Sequence, residues 1–257
     1  MVTTDTASDP DAPVRTWRDG PVLIVRIDRP HVRNAVDRRT ALALGAAWEL
    51  FEREEDARVG VLTGGDEAFS AGADLKDLEG LAPGALGEDG PLGFTRRLVS
   101  KPTIAAVAGW CVGGGLEMAC WCDLRVADET AVFGCFERRF GVPLIDGGTQ
   151  RLPRIVGLGR ALDLILTGRA VDAREALALG LVTEVVPAGR SLERALELAQ
   201  TIAAFPQLCL RSDRQALYAG FGLDLAAGLR IEARCGAEVL AGGEPEAGAR
   251  AFRKGKR

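Results

Sequence analysis

The chain has 257 residues, of which 47% are hydrophobic and 26% are charged, and its formal net charge is −4. This composition is typical of a globular protein with enough apolar residues for a sizeable core. The acidic balance argues against a nucleic-acid partner, which usually requires a concentrated basic surface. No apolar run approaches the roughly 18 residues that a membrane-spanning helix needs, so no membrane association is expected.

The amino terminus and the cysteines bear on the compartment of the protein. The first residues lack the basic start and the apolar stretch of a signal peptide, so residues 1–13 are predicted to be a disordered leader. The six cysteines lack the paired spacing of metal ligands, and the single histidine, His31, lies in a Pro-rich segment. We therefore expect reduced core thiols in a cytoplasmic protein, no metal site and no Ser-His-Asp mechanism.

Strand and helix signals alternate through the first part of the chain. Short apolar runs bounded by turn residues predict strands at 22–27, 58–63, 103–107, 123–126 and 131–133. Asp37 is a predicted N-cap of a helix, because apolar residues recur at helical spacing after it. A second, apolar helix is predicted at 114–121. This alternation favours an α/β domain with parallel strands.

The remainder of the chain gives a different signal. The segment 79–93 is rich in Gly and Pro and has no hydrophobic period, which predicts a mobile loop. Later residues are mainly helical in pattern, and Asp172 is a predicted N-cap. We predict an α/β core at 14–190 and a helical oligomerisation region at 191–257.

A glycine turn is the strongest chemical feature of the sequence. A predicted buried strand runs into three glycines, residues 113–115, and then into a helix. Glycines let a ligand approach the main chain, and the first N–H groups of a helix lack intrahelical partners, so such a turn can stabilise an oxyanion. The small residues at 70–73 could bring a second N–H group to the same ligand. By residue type alone a plain tight turn is the alternative, and the G-x-G-x-x-G spacing of a dinucleotide site is absent.

Three acidic residues are candidates for proton transfer. Glu117 lies in an otherwise apolar helix, where a carboxylate is costly unless it is paired, hydrogen-bonded or protonated. Glu137 precedes Arg138 and Arg139, which are expected to lower its pKa or to hold it in an ion pair away from a site. Asp146 lies in a Gly-rich turn and suits a turn or N-cap role as well as a catalytic one. An exposed helix position remains the alternative for Glu117.

Taken in order, these stretches resemble the crotonase superfamily, also called the enoyl-CoA hydratase/isomerase family. The resemblance covers about residues 20–190 and is carried by the stretches at 27–30, 33–35, 68–74, 101–107, 113–117, 122–123, 133–134, 147–152, 175–177 and 180–182. It implies a crotonase-like spiral of β-β-α units with a helical C-terminal trimerisation region. It also implies a homotrimer or a dimer of trimers and an acyl-CoA thioester as the substrate.

The resemblance further implies roles for individual residues. The backbone N–H groups of Ala73 and Gly114 match the oxyanion hole that holds the thioester oxygen. Glu117 and Glu137 match the two glutamates of the hydratases, of which one acts as base on a water that attacks C3 and the other protonates C2. No metal or cofactor is implied, because coenzyme A enters as part of the substrate. Coenzyme contacts are expected from Arg33, Ala35, Ala71, Asp74 and Lys76.

Hydration of a trans-2-enoyl-CoA is the first functional hypothesis, because both glutamates are present. Asp146 stands where common hydratases carry a small apolar residue and where the dienoyl-CoA isomerase branch carries a catalytic acid. Double-bond isomerisation through Glu137 and Asp146 is therefore the alternative. A further alternative is a non-catalytic binding module with the same fold. The segment 79–93 walls the acyl pocket in the family, and its composition leaves the acyl group open.

Overall fold

The computed structural model describes residues 11–255, so most of the predicted leader at 1–13 lies outside the described residues. The described strands are β1 Val14–Asp19, β2 Val22–Ile27, β3 Val59–Thr63, β4 Ala68–Ser70, β5 Thr103–Val107, β6 Trp110–Val112, β7 Leu124–Asp128, β8 Val132–Gly134, β9 Val171–Asp172 and β10 Glu184–Val186. The described α-helices are α1 Arg38–Arg53, α2 Leu78–Leu81, α3 Gly114–Trp121, α4 Gly148–Val156, α5 Leu158–Thr167, α6 Ala173–Leu179, α7 Ser191–Ala204, α8 Gln207–Gly220, α9 Leu225–Ala241 and α10 Glu244–Arg253. Three 3₁₀ turns lie at Pro30–Val32, Ala82–Leu86 and Phe136–Phe140.

Local sequence signals located most of these elements. The five predicted strands are confirmed as β2, β3, β5, β7 and β8. Both predicted caps are confirmed, because the Asp37 side chain accepts a hydrogen bond from the Thr40 N–H at 2.8 Å and that of Asp172 from the Glu175 N–H at 2.7 Å. The segment 79–93 is not irregular throughout, as its composition had predicted. Its first part continues α2 and forms a 3₁₀ turn, anchored by the buried Leu81.

The strands form two sheets in which the same unit recurs along the chain. The larger sheet has the order β1-β2-β3-β5-β7-β10 and the smaller has the order β4-β6-β8-β9. A strand of the large sheet is followed by a short strand of the small sheet and then by a helix in β3-β4-α2, β5-β6-α3 and β7-β8-α4. This arrangement confirms the predicted α/β class and the spiral of β-β-α units.

Side chains alternate between the two faces of the large sheet, as the twofold period of a strand requires. On β2, Val22 and Ile24 pack with Ala195 and Ala199 of α7, whereas Leu23 and its odd-numbered neighbours pack toward α1 and α3. Helix α7 therefore covers the sheet, although it opens the predicted oligomerisation region. Helices α8 and α9 pack chiefly against each other. The division of the chain at residue 190 stays a prediction.

The small sheet positions the site. Strands β4 and β6 are parallel neighbours, so their carboxyl ends lie at the same edge. The chain leaves β4 into the segment 71–77, and it leaves β6 directly into α3. The two small-residue stretches of the sequence therefore meet at one edge of this sheet.

Candidate active site

A cavity of about 900 Å³ opens at this edge of the small sheet. All ten residues proposed from the sequence lie on its wall: Arg33, Ala35, Ala71, Ala73, Asp74, Lys76, Gly114, Glu117, Glu137 and Asp146. Much of the remaining wall is apolar and comes from the segment 75–91 and from the segment 136–145. Chain segments that are far apart in sequence thus build one largely apolar cavity whose wall carries four carboxyl groups, those of Asp74, Glu117, Glu137 and Asp146.

Two backbone N–H groups are neighbours in the cavity. The Val36 N–H donates to the Gly72 oxygen at 2.8 Å, and the Asp74 N–H donates to the Val36 oxygen at 2.8 Å. This bridge uses the groups on either side of Ala73 and leaves the Ala73 N–H directed away from Val36. Gly114 is the first residue of α3, so its N–H has no partner within the helix. A Cβ atom placed on Gly114 would lie 3.4 Å from the Ala73 nitrogen.

Glycine is required where these two segments touch. Gly72 has a φ of +86°, and a Cβ atom there would lie 2.4 Å from the Gly114 nitrogen. Gly113 has a φ of +56°, which residues with a Cβ atom rarely adopt. The glycines therefore allow the two main chains that carry these N–H groups to approach each other closely.

Two buried polar residues, which the sequence analysis did not single out, hold the second segment in place. The Asn34 Nδ2 donates to the Ala68 oxygen at 2.7 Å, and its Oδ1 accepts from the Arg29 N–H at 2.8 Å. The Ser70 hydroxyl donates to the Asn34 oxygen at 2.8 Å and accepts from the Gly72 N–H at 3.1 Å. Both residues lie in stretches that carry the family resemblance, 33–35 and 68–74, but no role was predicted for either side chain.

Glu117 is buried, with 3% of its surface exposed, so it is not the exposed helix residue of the alternative interpretation. Its Oε1 accepts hydrogen bonds from the Asp146 N–H at 2.9 Å and from the Gly148 N–H at 2.7 Å. Burial, followed by the negative charge of Asp146, raises the pKa of Glu117 to about 8. Glu137 adds to this upward shift. The group can therefore hold or release a proton near neutral pH.

Glu137 differs from the expectation drawn from its neighbours. Arg138 donates to the Ile165 oxygen at 3.3 Å and Arg139 donates to the Gly168 oxygen at 3.1 Å. Both Glu137 carboxylate oxygens are buried and have no hydrogen-bond partner among the described residues. Burial raises the pKa of Glu137 by more than Arg138 lowers it. The predicted pKa decrease and ion pair were wrong, because loss of hydration outweighs the nearby cation.

Asp146 is also buried, with 4% of its surface exposed. Its Oδ1 accepts a hydrogen bond from the Leu92 N–H at 3.1 Å and another from the Thr95 hydroxyl. Burial raises the pKa of Asp146, while these two donors oppose the increase. The N-cap of α4 is Gly147, which has no side chain, so Asp146 does not cap that helix. Its side chain binds a distant segment instead.

The five residues proposed for coenzyme contact differ in exposure along the cavity wall. The exposed Arg33 guanidinium is 6.0 Å from the centre of the Trp110 ring, and Lys76 is also exposed. Asp74 is engaged within the protein, because its Oδ2 lies 3.3 Å from the Arg29 guanidinium. Ala35 and Ala71, like these residues, line the cavity. Arg33 and Lys76 therefore provide positive charge on the exposed part of the wall.

The cysteines form no part of this chemistry. Four of them, Cys111, Cys120, Cys122 and Cys135, are buried, and burial raises the pKa of each thiol, which makes them unreactive. Over residues 11–255, no three His, Cys, Asp or Glu side chains are grouped as metal ligands. In the same range, no helix combines the length and apolarity needed to cross a bilayer.

Comparison with known proteins agrees with this geometry. The family model described as enoyl-CoA hydratase/isomerase matches residues 18–256. The chain is 40% identical over 237 residues to a probable enoyl-CoA hydratase of Rhizobium meliloti, which covers 91% of each chain. It is 36% identical over 231 residues to the short-chain-enoyl-CoA hydratase of Clostridium acetobutylicum, which covers 87% of each.

Solved structures give the same result. The enoyl-CoA hydratase EchA1 from Mycobacterium marinum superposes with a TM-score of 0.90 at 32% identity, over 96% of this chain and 97% of that one. A carnitinyl-CoA dehydratase from Mycobacterium avium superposes with a TM-score of 0.76 at 35% identity, over 88% and 91%. With the family model spanning nearly the whole sequence, the chain belongs to the enoyl-CoA hydratase/isomerase family of the crotonase superfamily.

Proposed function

We propose that the protein is an enoyl-CoA hydratase that adds water across the 2,3 double bond of a trans-2-enoyl-CoA thioester. The observation that carries this proposal is the meeting of two backbone N–H groups, at Ala73 and Gly114, with two buried carboxyl groups in one cavity. The family acts on acyl-CoA thioesters, and the relatives above are named as enoyl-CoA hydratases.

The two N–H groups form the oxyanion hole in this proposal. They bind the thioester oxygen, where negative charge develops as the enolate forms. Fixed donors in an apolar cavity stabilise such charge strongly, because they need no reorientation, and each is worth about 3 kcal/mol. The apolar wall supports this role, since it excludes the water that would otherwise screen the interaction.

Glu117 and Glu137 transfer the protons. One carboxylate accepts the proton of a water molecule that attacks C3, and the other carboxyl group protonates C2. This step requires the pair to hold one proton, and the pKa of Glu117, raised to about 8, lets that group carry the proton near neutral pH. Burial raises the pKa of Glu137 as well. Because Glu117 Oε1 is held by two N–H groups, its Oε2 is the atom available to water or substrate.

The scheme uses no metal and no cofactor beyond the coenzyme A of the substrate. Arg33 and Lys76 are proposed to bind its phosphates, and Ala35, Ala71 and Asp74 to line its path. We also propose a homotrimer or a dimer of trimers, which light scattering in solution would measure. Large apolar side chains exposed on the C-terminal helices support assembly: Leu217, Leu225, Leu229, Leu240 and Phe252.

The direct test is to supply the purified protein with crotonyl-CoA and to follow the absorbance of the conjugated thioester. We expect the absorbance to fall, because hydration removes the conjugation. Glu117→Gln and Glu137→Gln variants serve as controls for a contaminating hydratase. An unchanged absorbance would contradict the hydratase proposal.

Isomerisation is a second candidate, favoured by the further buried carboxyl group of Asp146 on the cavity wall. In that case the protein would shift the double bond of a 3-enoyl- or dienoyl-CoA through Glu137 and Asp146, without adding water. Turnover of these thioesters with an unchanged crotonyl-CoA would establish it. A non-catalytic binding module would instead keep its biological activity in Glu117→Ala and Glu137→Ala variants.

A further inference from the structure

Asp146 is attached to two parts of the site at once. Its backbone N–H donates to Glu117 Oε1 at 2.9 Å. Its side-chain Oδ1 accepts hydrogen bonds from the Leu92 N–H at 3.1 Å and from the Thr95 hydroxyl. Leu92 directly follows Pro91, a residue of the cavity wall, and Thr95 lies four residues after Pro91. One residue therefore contacts both Glu117 and the segment that continues this wall.

Further hydrogen bonds join the same two parts. Arg96 donates to the Ile145 oxygen at 3.0 Å. Arg151 donates to the Asp146 oxygen at 3.0 Å and to the Thr95 oxygen at 2.6 Å. The segment at 92–96 and the turn at 145–148 are thus held together through backbone and side-chain atoms. A displacement of one will shift the other.

The contact between Asp146 and Glu117 also affects the pKa of Glu117. Asp146, Glu137, the thiols of Cys120 and Cys135, and Arg151 are the titratable groups that interact with Glu117. Burial raises the pKa of Asp146, and its two hydrogen-bond donors, together with Arg96 and Arg151, oppose that increase. Because the negative charge of Asp146 raises the pKa of Glu117, removal of that charge is expected to lower it.

We propose that Asp146 is a positioning residue that transmits the position of the cavity wall at Pro91, through the following residues Leu92 and Thr95, to the carboxyl group of Glu117. An acyl group that presses on this wall changes the orientation of Glu117 and its affinity for a proton. The size of the acyl group should then affect kcat as well as KM. This inference rests on the proposed reaction only where turnover is the readout.

The hydrogen bonds that connect Leu92 and Thr95 to Glu117 through Asp146 are called the relay. The first experiment removes one of these hydrogen bonds. Thr95→Val deletes the hydroxyl donor while keeping the shape of the side chain. Thr63→Val is the matched control, because Thr63 is also buried and donates to a backbone oxygen, that of Ala106, away from the cavity. Across short, medium and long 2-enoyl-CoA thioesters, we expect Thr95→Val to lower kcat about tenfold and to alter the chain-length preference. The control keeps the wild-type preference.

A second experiment needs no substrate. The infrared band of the protonated Glu117 carboxyl group is followed against pH and is assigned by its loss in Glu117→Gln. Asp146→Asn retains an oxygen for Leu92 and Thr95 but removes the charge. We expect Asp146→Asn and Thr95→Val to shift the titration of Glu117 to lower pH, and Thr63→Val to leave it unchanged.

The outcomes separate the two proposals. An unshifted Glu117 titration in folded Asp146→Asn and Thr95→Val proteins would overturn the relay. A shifted titration in a protein that turns over no enoyl-CoA would support the relay and contradict the proposed reaction. Circular dichroism of each variant establishes that it is folded, and the near-isosteric Asp146→Asn provides a readout if Thr95→Val does not fold.

Discussion

The two glutamates of the cavity have the same chemistry but contrasting surroundings. Glu117 projects from α3, and its Oε1 is held by two backbone N–H groups of the turn at 146–148. Glu137 lies in the 3₁₀ turn Phe136–Phe140, and neither of its buried oxygens has a partner among the described residues. Burial raises the pKa of both groups.

The fold itself supplies hydrogen-bond donors to Glu117, whereas for Glu137 we expect a ligand to supply them. Buried polar atoms are normally hydrogen-bonded, and the exceptions in native proteins call for an explanation. For Glu137, bound water and substrate are the natural donors, because its side chain lines the cavity. Glu117 is therefore expected to be oriented by the fold alone, whereas Glu137 is expected to gain hydrogen-bond partners when substrate binds.

The largest expected effect is on stability and comes from Glu117. Its pKa rises from 4.5 to about 8 on folding. The contribution of protonated Glu117 to the free energy of unfolding is therefore fully present below pH 4.5. It is lost as the pH rises through 8, and the loss is on the order of 5 kcal/mol. Glu117→Gln cannot ionise, so its free energy of unfolding should not show this loss. Urea unfolding of both proteins between pH 4 and 9 measures it, and parallel curves would contradict the prediction.

Glu137→Gln should lower kcat by about 10³-fold, because a proton-transfer group is removed. Its free energy of unfolding should not fall below the wild-type value, since no hydrogen bond within the protein is lost and a buried ionisable group is removed. Steady-state kinetics and urea unfolding of the same preparation test both parts. Glu129→Gln, at an exposed position, is the control. A strong destabilisation by Glu137→Gln would show that the fold, and not the ligand, holds this side chain.

Gly148→Ala should displace the Glu117 carboxyl group from the position in which the turn at 146–148 holds it. A Cβ atom at this position would lie 2.9 Å from both Cγ and Oε1 of Glu117, so the carboxyl group must move. A displacement of this size is expected to lower kcat by about 10²-fold. Gly159→Ala in α5 is the matched control, because a Cβ atom there meets nothing within 4 Å. Equal activity of the two variants would contradict the positioning of Glu117 by this turn.

Arg138→Met should have the smallest effect. Arg138 lowers the pKa of Glu137, but burial raises it by more, so removing the cation moves the titration slightly upward. We expect kcat to change by less than about threefold, as for a cation with little effect on its neighbour. The pH dependence of kcat measures the shift. A large downward shift would mean that Arg138 does not oppose the effect of burial.

Several features were already determined by the sequence. The strand and helix alternation, the caps at Asp37 and Asp172 and the glycines before α3 are local signals, since each depends on neighbours within a few residues. The family resemblance added the roles proposed for Ala73 and Gly114. These expectations could be formed without the tertiary structure, because backbone geometry and hydrophobic period are written in short stretches.

Other features depended on the tertiary structure. The sequence predicted a lowered pKa for Glu137 from its adjacent arginines, but the fold buries the carboxyl group and directs Arg138 and Arg139 to other acceptors. Likewise, the partners of Asp146, Leu92 and Thr95, lie more than fifty residues away in the chain. Hydration and long-range hydrogen bonding depend on which distant segments pack around a group. For that reason only the tertiary structure decided how these carboxyl groups are charged and held.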